Sequence, residues 1–293
     1  MHEILKLAEK RTVIFDGAMG TMLMAAGLKA GESPELWNLE KPSLVTDIHR
    51  QYYEAGSDAV HTNTFGANVI KLGERNLADR MEAMNVEGAV LARKACPAGK
   101  FVAGDIGPTG KLIKPLGDLV IEEAEEAFFR QAQALLKGGA DLISIETMFS
   151  LEEALAALRA AKRLGHTPVI VALTFNRTKK GFFTMMGEGV NQAVSAFEKA
   201  GADVIATNCS LGSKDMIDLA RALRAATKKP ILIQPNAGKP ITQKGVTSYQ
   251  QTPLEFAQDG REIRNSGAEM IGGCCGTNPE FIRALAQALG NLS

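Results

Sequence analysis

Short apolar runs bounded by glycine and polar residues alternate along this chain with longer stretches whose apolar residues recur every three or four positions. Four of the runs share one pattern: GSDAVHTN from Gly56, GADLISIE from Gly139, GADVIATN from Gly201 and GAEMIGGC from Gly267. In each, a glycine ends a helix, a small and an acidic residue follow, and an apolar run closes on polar or small residues. Glycine tolerates the left-handed conformation at a helix end, and apolar runs of this length suit parallel strands buried on both faces. The spacings of 83, 62 and 66 residues each leave room for about two strand–helix units. TVIFD (Thr12–Asp16), FVAGD (Phe101–Asp105), PVIVALT (Pro168–Thr174) and PILIQPN (Pro230–Asn236) supply the intervening strands, for a total of eight.

Helical spacing and Ala, Glu and Arg content mark residues 43–55, 74–95, 120–138, 151–164, 190–200, 214–227, 253–266 and 279–289. Eight strand-then-helix units fit a closed α/β barrel, a single-domain (β/α)8 TIM barrel over residues 1–293, better than an open doubly wound sheet of about six strands. Closure also removes the exposed edges of an open sheet. The excursion over residues 17–41 reads as a loop with one helical turn.

Composition narrows the function classes. Lys plus Arg and Asp plus Glu number 33 each, so no electrostatic footprint for nucleic acid or an anionic membrane is expected. No apolar run reaches 18 residues, and the first residues do not read as a signal peptide. Four unevenly placed cysteines are too few for a disulfide scaffold, so a cytoplasmic protein is expected.

In such barrels chemistry gathers at the C-terminal ends of the strands. Those ends carry Asp16, Thr62–Asn63, Asp105, Glu146–Thr147, Thr174, Asn208–Cys209, Asn236 and Cys274–Cys275. Closure brings residues more than 250 positions apart to one mouth.

Cys209, Cys274 and Cys275 are the candidate zinc ligands, since Zn²⁺ favours thiolate sulfur. Neighbouring residues of a strand face opposite ways, so the pair Cys274–Cys275 needs a backbone turn, which the flanking Gly272, Gly273 and Gly276 permit. Buried packing cysteines, or a vicinal disulfide, are the competing reading. Cys96 stands apart and reads as structural. Three thiolates around Zn²⁺ leave a net charge of about −1 and one open tetrahedral position. His61 is the nearest competitor for that position, and Asn236 can fill it weakly through its oxygen. An open position among thiolates suits a substrate thiol, which becomes a good nucleophile when held as thiolate. Open zinc sites that activate water usually employ His and carboxylate ligands instead.

Asp16 and Glu146 are the candidate catalytic and substrate-binding carboxylates, able to receive the ammonium group of an amino-acid thiol. Simple capping of nearby backbone amides is the alternative for both. The turn of DGAMGT offers backbone N–H groups at Gly17 and Ala18 for a substrate carboxylate. It is not a dinucleotide fingerprint. The loop Asn176–Gly189 joins basic residues to Phe182, Phe183, Met185 and Met186, and reads either as a lid for a bulky methyl carrier or as a loop folded onto the barrel top.

With these motifs in hand, the sequence resembles the homocysteine S-methyltransferase family, and within it the homocysteine-binding domain of cobalamin-dependent methionine synthases. The motifs are DGAMGT (16–21), TNTFGAN (62–68), GDIGPTG (104–110), ET (146–147), NCSLG (208–212), PNAGKP (235–240) and GGCCGT (272–277), in family order. The resemblance implies a (β/α)8 barrel with zinc on Cys209, Cys274 and Cys275. It implies that Asn236 takes the metal position vacated by substrate. It also places Asp16, Gly17, Ala18 and Glu146 around the amino-acid end of homocysteine. GAMGT, PNAG and GGCCGT look more like the cobalamin-dependent branch than the betaine or S-methylmethionine branches.

Two departures stand out. The folate, cobalamin and reactivation modules have no counterpart in these residues, and the pattern Asp-x-His-x-x-Gly begun by Asp47 and His49 meets Tyr52 where glycine belongs. A separate protein carrying methylcobalamin or another methylcorrinoid is therefore the expected partner and donor. After strand five, GFFTMMG replaces the family's Thr- and Gly-rich segment. The expected activity is methyl transfer from a methylcorrinoid protein to a zinc-bound thiol, with homocysteine giving methionine. S-methylmethionine or a betaine as donor, or a non-catalytic zinc barrel within a corrinoid complex, are the competing functions.

Overall fold

The four glycines that open the repeated segments all take the left-handed conformation, with φ of +109° at Gly56, +98° at Gly139, +85° at Gly201 and +104° at Gly267. Each lies two residues beyond a helix end and turns the chain into a strand, as the sequence pattern requires. The computed structural model describes residues 2–29, 31–243 and 246–292.

Eight parallel strands result: β1 (Val13–Ile14), β2 (Ala59–His61), β3 (Phe101–Ile106), β4 (Leu142–Met148), β5 (Val169–Leu173), β6 (Val204–Gly212), β7 (Ile231–Asn236) and β8 (Met270–Ile271). They neighbour one another in sequence order, β8 pairs back onto β1, and a bridge between Phe15 and Ala59 joins β1 to β2. The sheet is thereby closed, a (β/α)8 TIM barrel ringed by helices. Alternate strand residues such as Phe15, Ala103, Leu142, Ala172 and Leu232 fill the barrel interior as one cluster. The other alternation packs against the helices in a larger cluster that includes Val102, Ile143, Val171 and Ile233.

The outer helices fall near their expected places, with three corrections. The stretch 74–95 is not one helix: Asn76 takes φ +57°, and Val69–Gly73 and Ala78–Arg80 precede the main helix Met81–Ala95. The excursion 17–41 holds more helix than one turn, in Met19–Ala25, Pro34–Leu36 and Trp37–Glu40. An N-terminal helix, Glu3–Lys10, was absent from the sequence-based expectation, and its Ile4 and Ala8 join the interior cluster and seal the N-terminal end of the barrel.

At that same end Asp58, which precedes β2, accepts hydrogen bonds from Arg11 Nη1 and Nη2 (2.6 and 2.7 Å), Lys100 Nζ (2.6 Å) and the Ile14 amide (3.0 Å). Antiparallel hairpins follow β5 (Asn176–Thr178 with Gly181–Phe183) and β7 (Ile241–Gln243 with Val246–Ser248). Among the described residues no helix is long and apolar enough to cross a membrane.

Candidate metal centre and active site

The strand that carries the first cysteine does not run straight. Register between β6 and β7 shifts between Asn208 and Gly212, and Cys209 and Ser210 take φ of +61° and +63°. This bulge re-aims Cys209 at the barrel mouth. After β8 the chain turns. The Gly273 amide donates to the Asp16 carbonyl (2.8 Å), the Cys274 amide donates to the Pro235 carbonyl (2.7 Å), and the Cys275 carbonyl accepts from the Ala237 amide (2.9 Å). A side chain at Gly273 would come within 2.5 Å of Thr277 Oγ1, which explains the glycine there.

The sulfurs of Cys209, Cys274 and Cys275 consequently lie within 4.8 Å of one another, with 3.9 Å between those of Cys209 and Cys275. Zn–S bonds of about 2.3 Å at tetrahedral angles set S···S at about 3.8 Å, close to the separation of Cys209 and Cys275, so the donor set suits one zinc ion. All four cysteines are free thiols, which removes the vicinal disulfide. Cys96 lies apart from the cluster, beside Arg93 and the Pro97 carbonyl.

Hydrogen bonds from Cys274 and Cys275 hold Cys209 as the thiolate, its pKa lowered to about 3 against the effect of burial. Donating to that thiolate pushes Cys274 up and Cys275 up to about 11. A metal that binds the three sulfurs must displace the thiol protons they hold. Asn236 is buried at the end of β7, and its Oδ1 has no partner. An orphaned amide oxygen beside three sulfurs is the donor that a fourth metal position would take in the absence of substrate.

Below the sulfurs the interior turns polar. Asp16 Oδ1 accepts from His61 Nδ1 (2.7 Å), Asp16 Oδ2 accepts from the His61 amide (2.9 Å), and His61 Nε2 donates to Ser144 Oγ (3.0 Å). Burial works against charge on His61, but Asp16, with Glu146 and Asp105 nearby, outweighs it and raises the pKa to about 10. Both ring nitrogens of His61 are already engaged, Nδ1 by Asp16 and Nε2 by Ser144. Burial first, tempered by His61, raises Glu146 to about 7.

The Ala18 amide donates to Thr277 Oγ1 (3.1 Å), and a side chain at Gly17 would come within 2.6 Å of that same oxygen. The Asp16–Thr21 turn is thereby tied to the cysteine loop. In the loop after β5 Phe182 packs against the core beneath Arg177, whereas Met185 stands exposed.

Asn208 stands among the polar strand ends read from the sequence but was given no role there, although the alternation of β6 and its place beside Cys209 mark it as inward-facing. Its Oδ1 accepts from the Thr147 amide (2.8 Å), and its Nδ2 donates to Thr147 Oγ1 (2.7 Å) and Glu146 Oε2 (3.0 Å), with Cys274 Sγ at 3.8 Å. One amide thus couples the β4 bulge, where Thr147 takes φ +57°, to the sulfur cluster. Asn208→Ala is expected to cost about 2 kcal/mol of stability through the orphaned buried groups. It should also weaken metal binding about tenfold or more, as loss of a residue supporting a ligand does. Thermal melts and competition with a zinc chelator measure the two effects; unchanged metal affinity would assign Asn208 to packing alone.

The chain is similar to proteins of known activity. Methionine synthases of Mycobacterium tuberculosis (strain ATCC 25618 / H37Rv) and Mycobacterium leprae (strain TN) are 34% and 33% identical over 99% and 98% of this chain. The chain spans about a quarter of their length (26% and 25%). The metallated form of the homocysteine methyltransferase MmuM from Escherichia coli shares the fold, with a TM-score of 0.80 at 24% identity across 98% of this chain and 99% of that one. The family model described as homocysteine S-methyltransferase matches residues 13–289, and the chain belongs to that family.

Proposed function

We propose that this chain is a zinc-dependent S-methyltransferase that accepts a methyl group from a methylcorrinoid on a separate protein and transfers it to the thiol of homocysteine, giving methionine. The observation that supports the reading is the convergence of three sulfurs within 4.8 Å of one another near an unpartnered amide oxygen. Zinc held by Cys209, Cys274 and Cys275 supplies the charge that keeps an acceptor thiol ionised at neutral pH. The barrel mouth would position that thiol, Asn236 would hold the fourth metal position when no thiol is bound, and the carboxylates of the mouth suit the ammonium group of an amino acid. The new S–CH₃ bond forms as the carrier–CH₃ bond breaks, with the bonding pair leaving on the carrier. The motif likeness to the cobalamin-dependent branch favours a corrinoid over an onium donor.

Incubating the zinc-loaded protein with methylcobalamin and L-homocysteine is expected to yield methionine together with a thiol-dependent change in the corrinoid spectrum. Parallel incubations with S-methylmethionine and glycine betaine identify the donor class. Absence of methionine from every donor would defeat the proposal.

A further inference from the structure

Beyond the hairpin that follows β7, the chain is fastened to the cysteine loop. The Gln251 amide donates to the Ala237 carbonyl (3.2 Å), and the Ala237 amide donates to the Cys275 carbonyl (2.9 Å), so one residue holds both segments. Gln251 Nε2 also donates to Ser213 Oγ (2.5 Å) and Asp259 Oδ2 (2.9 Å). Thr252 then closes a capping box on the helix Pro253–Asn265.

Tyr249, two residues before Gln251, is thereby held in place, half-buried and packed against the core. Its ring lies against Gly276, where any side chain would overlap it. Gly276 also takes φ +83°, so both the space and the backbone there call for glycine. The Gly276 amide donates to Thr21 Oγ1 (3.1 Å), which ties the same turn to the Asp16–Thr21 segment. Contact with Gly276 uses only the ring of Tyr249. The hydroxyl is left for something else. Burial, then Cys275 ahead of Cys209 and Cys274, raises the Tyr249 phenol, so its hydroxyl lies close to the sulfurs and stays a donor.

We propose that Tyr249 is a positioning residue of the metal centre, whose hydroxyl donates a hydrogen bond to the Cys275 thiolate and so eases the entry of a fourth, substrate sulfur. The assignment rests on the three-sulfur centre proposed above. Charge gives the reason. Three thiolates around a divalent metal carry a net charge of about −1, and an acceptor thiolate would take it to about −2. A donor on one sulfur draws electron density away from it, and a further anion is then held more firmly.

The test loads the protein with cobalt(II), whose sulfur-to-metal charge-transfer bands report on the ligand sulfurs, and compares wild type with Tyr249→Phe. That variant keeps the ring on Gly276 and removes only the hydroxyl. Without the donor the Cys275 lone pairs rise in energy, so the band should move to longer wavelength. Affinity for L-homocysteine should fall about tenfold, as expected when a group supporting a metal ligand is lost. The Tm should stay near that of the wild type, because the ring packing is intact. Tyr249→Ala should show the same spectral shift and melt lower as well. A band that does not move in Tyr249→Phe, or a thiol affinity equal to that of the wild type, overturns the assignment. A wild-type chain that binds neither cobalt nor zinc would instead remove the metal centre, and the assignment with it. Should the cobalt-loaded wild type bind metal but not homocysteine, the functional reading fails and the spectral shift alone decides the role of Tyr249.

Discussion

Cys275→Ala should strip the protein of its metal and abolish methyl transfer. The substitution leaves the backbone of the cysteine loop free of new demands, because the hydrogen bonds that shape the loop run through the main chain and through Thr277. What disappears is one of three sulfurs. A four-ligand zinc site is worth roughly 10–16 kcal/mol, so an even share puts one thiolate at about 3 kcal/mol, more than a hundredfold in affinity. Two sulfurs and Asn236 would then compete for zinc against any chelator in solution. Metal analysis after dialysis against a moderate chelator should find about one zinc per wild-type chain and little in the variant, with methionine formation falling in parallel. A variant that kept a full equivalent of zinc at wild-type affinity would refute a three-sulfur centre.

Asp58→Ala should cause the largest loss of stability, at the opposite end of the barrel. Its carboxylate ties the residues that precede β1, β2 and β3 through Arg11, Lys100 and the Ile14 amide. Removing the anion from a buried ion pair costs about 3–5 kcal/mol. The lower end applies here because Arg11 and Lys100 keep 38% and 28% of their side-chain surface and can turn to water. In a chain of this size, about 3 kcal/mol corresponds to a drop in Tm of roughly 6–12 °C.

The effect carries a pH signature. Burial alone would raise the Asp58 pKa, but hydrogen bonds from Arg11 and Lys100 win and hold it below the ordinary carboxylate value. A depressed folded-state pKa stabilises fully above the unfolded value of about 4, and the contribution fades as pH falls through the folded value. The difference in stability between wild type and variant should therefore be constant near neutrality and shrink below about pH 4. Denaturation curves across that range check it; a gap independent of pH would mean that Asp58 acts through packing.

Much of this architecture was legible in the sequence because parallel strands buried on both faces leave short apolar runs, and helix-ending glycines punctuate them. Gly56, Gly139, Gly201 and Gly267 each gave a strand start. Once eight strands are counted, the barrel itself gathers Cys209, Cys274 and Cys275. Less legible was what depends on register and bulges. The sequence offers Asp16 as a free carboxylate and His61 as a rival metal ligand, whereas the bridge of Phe15 to Ala59 brings the two side chains onto each other. The break at Asn76 was hidden because one residue in the left-handed conformation leaves the apolar spacing on either side intact. The N-terminal helix was readable in principle, since Ile4 and Ala8 share one face, but nothing in eight residues says that this face closes a barrel. Asn208 needed the bulge at Cys209 to reveal its reach.

That N-terminal stopper has a kinetic corollary. Ile4 and Ala8 pack across the far end of an interior filled with apolar side chains, so among the described residues the polar mouth is the way in. If the proposed chemistry holds, acceptor, methyl carrier and methylated product share one doorway. Under the proposed chemistry this dictates a compulsory sequence of visits, in which the small acceptor enters first, the bulky carrier docks over it, and the product departs only once the carrier has lifted away.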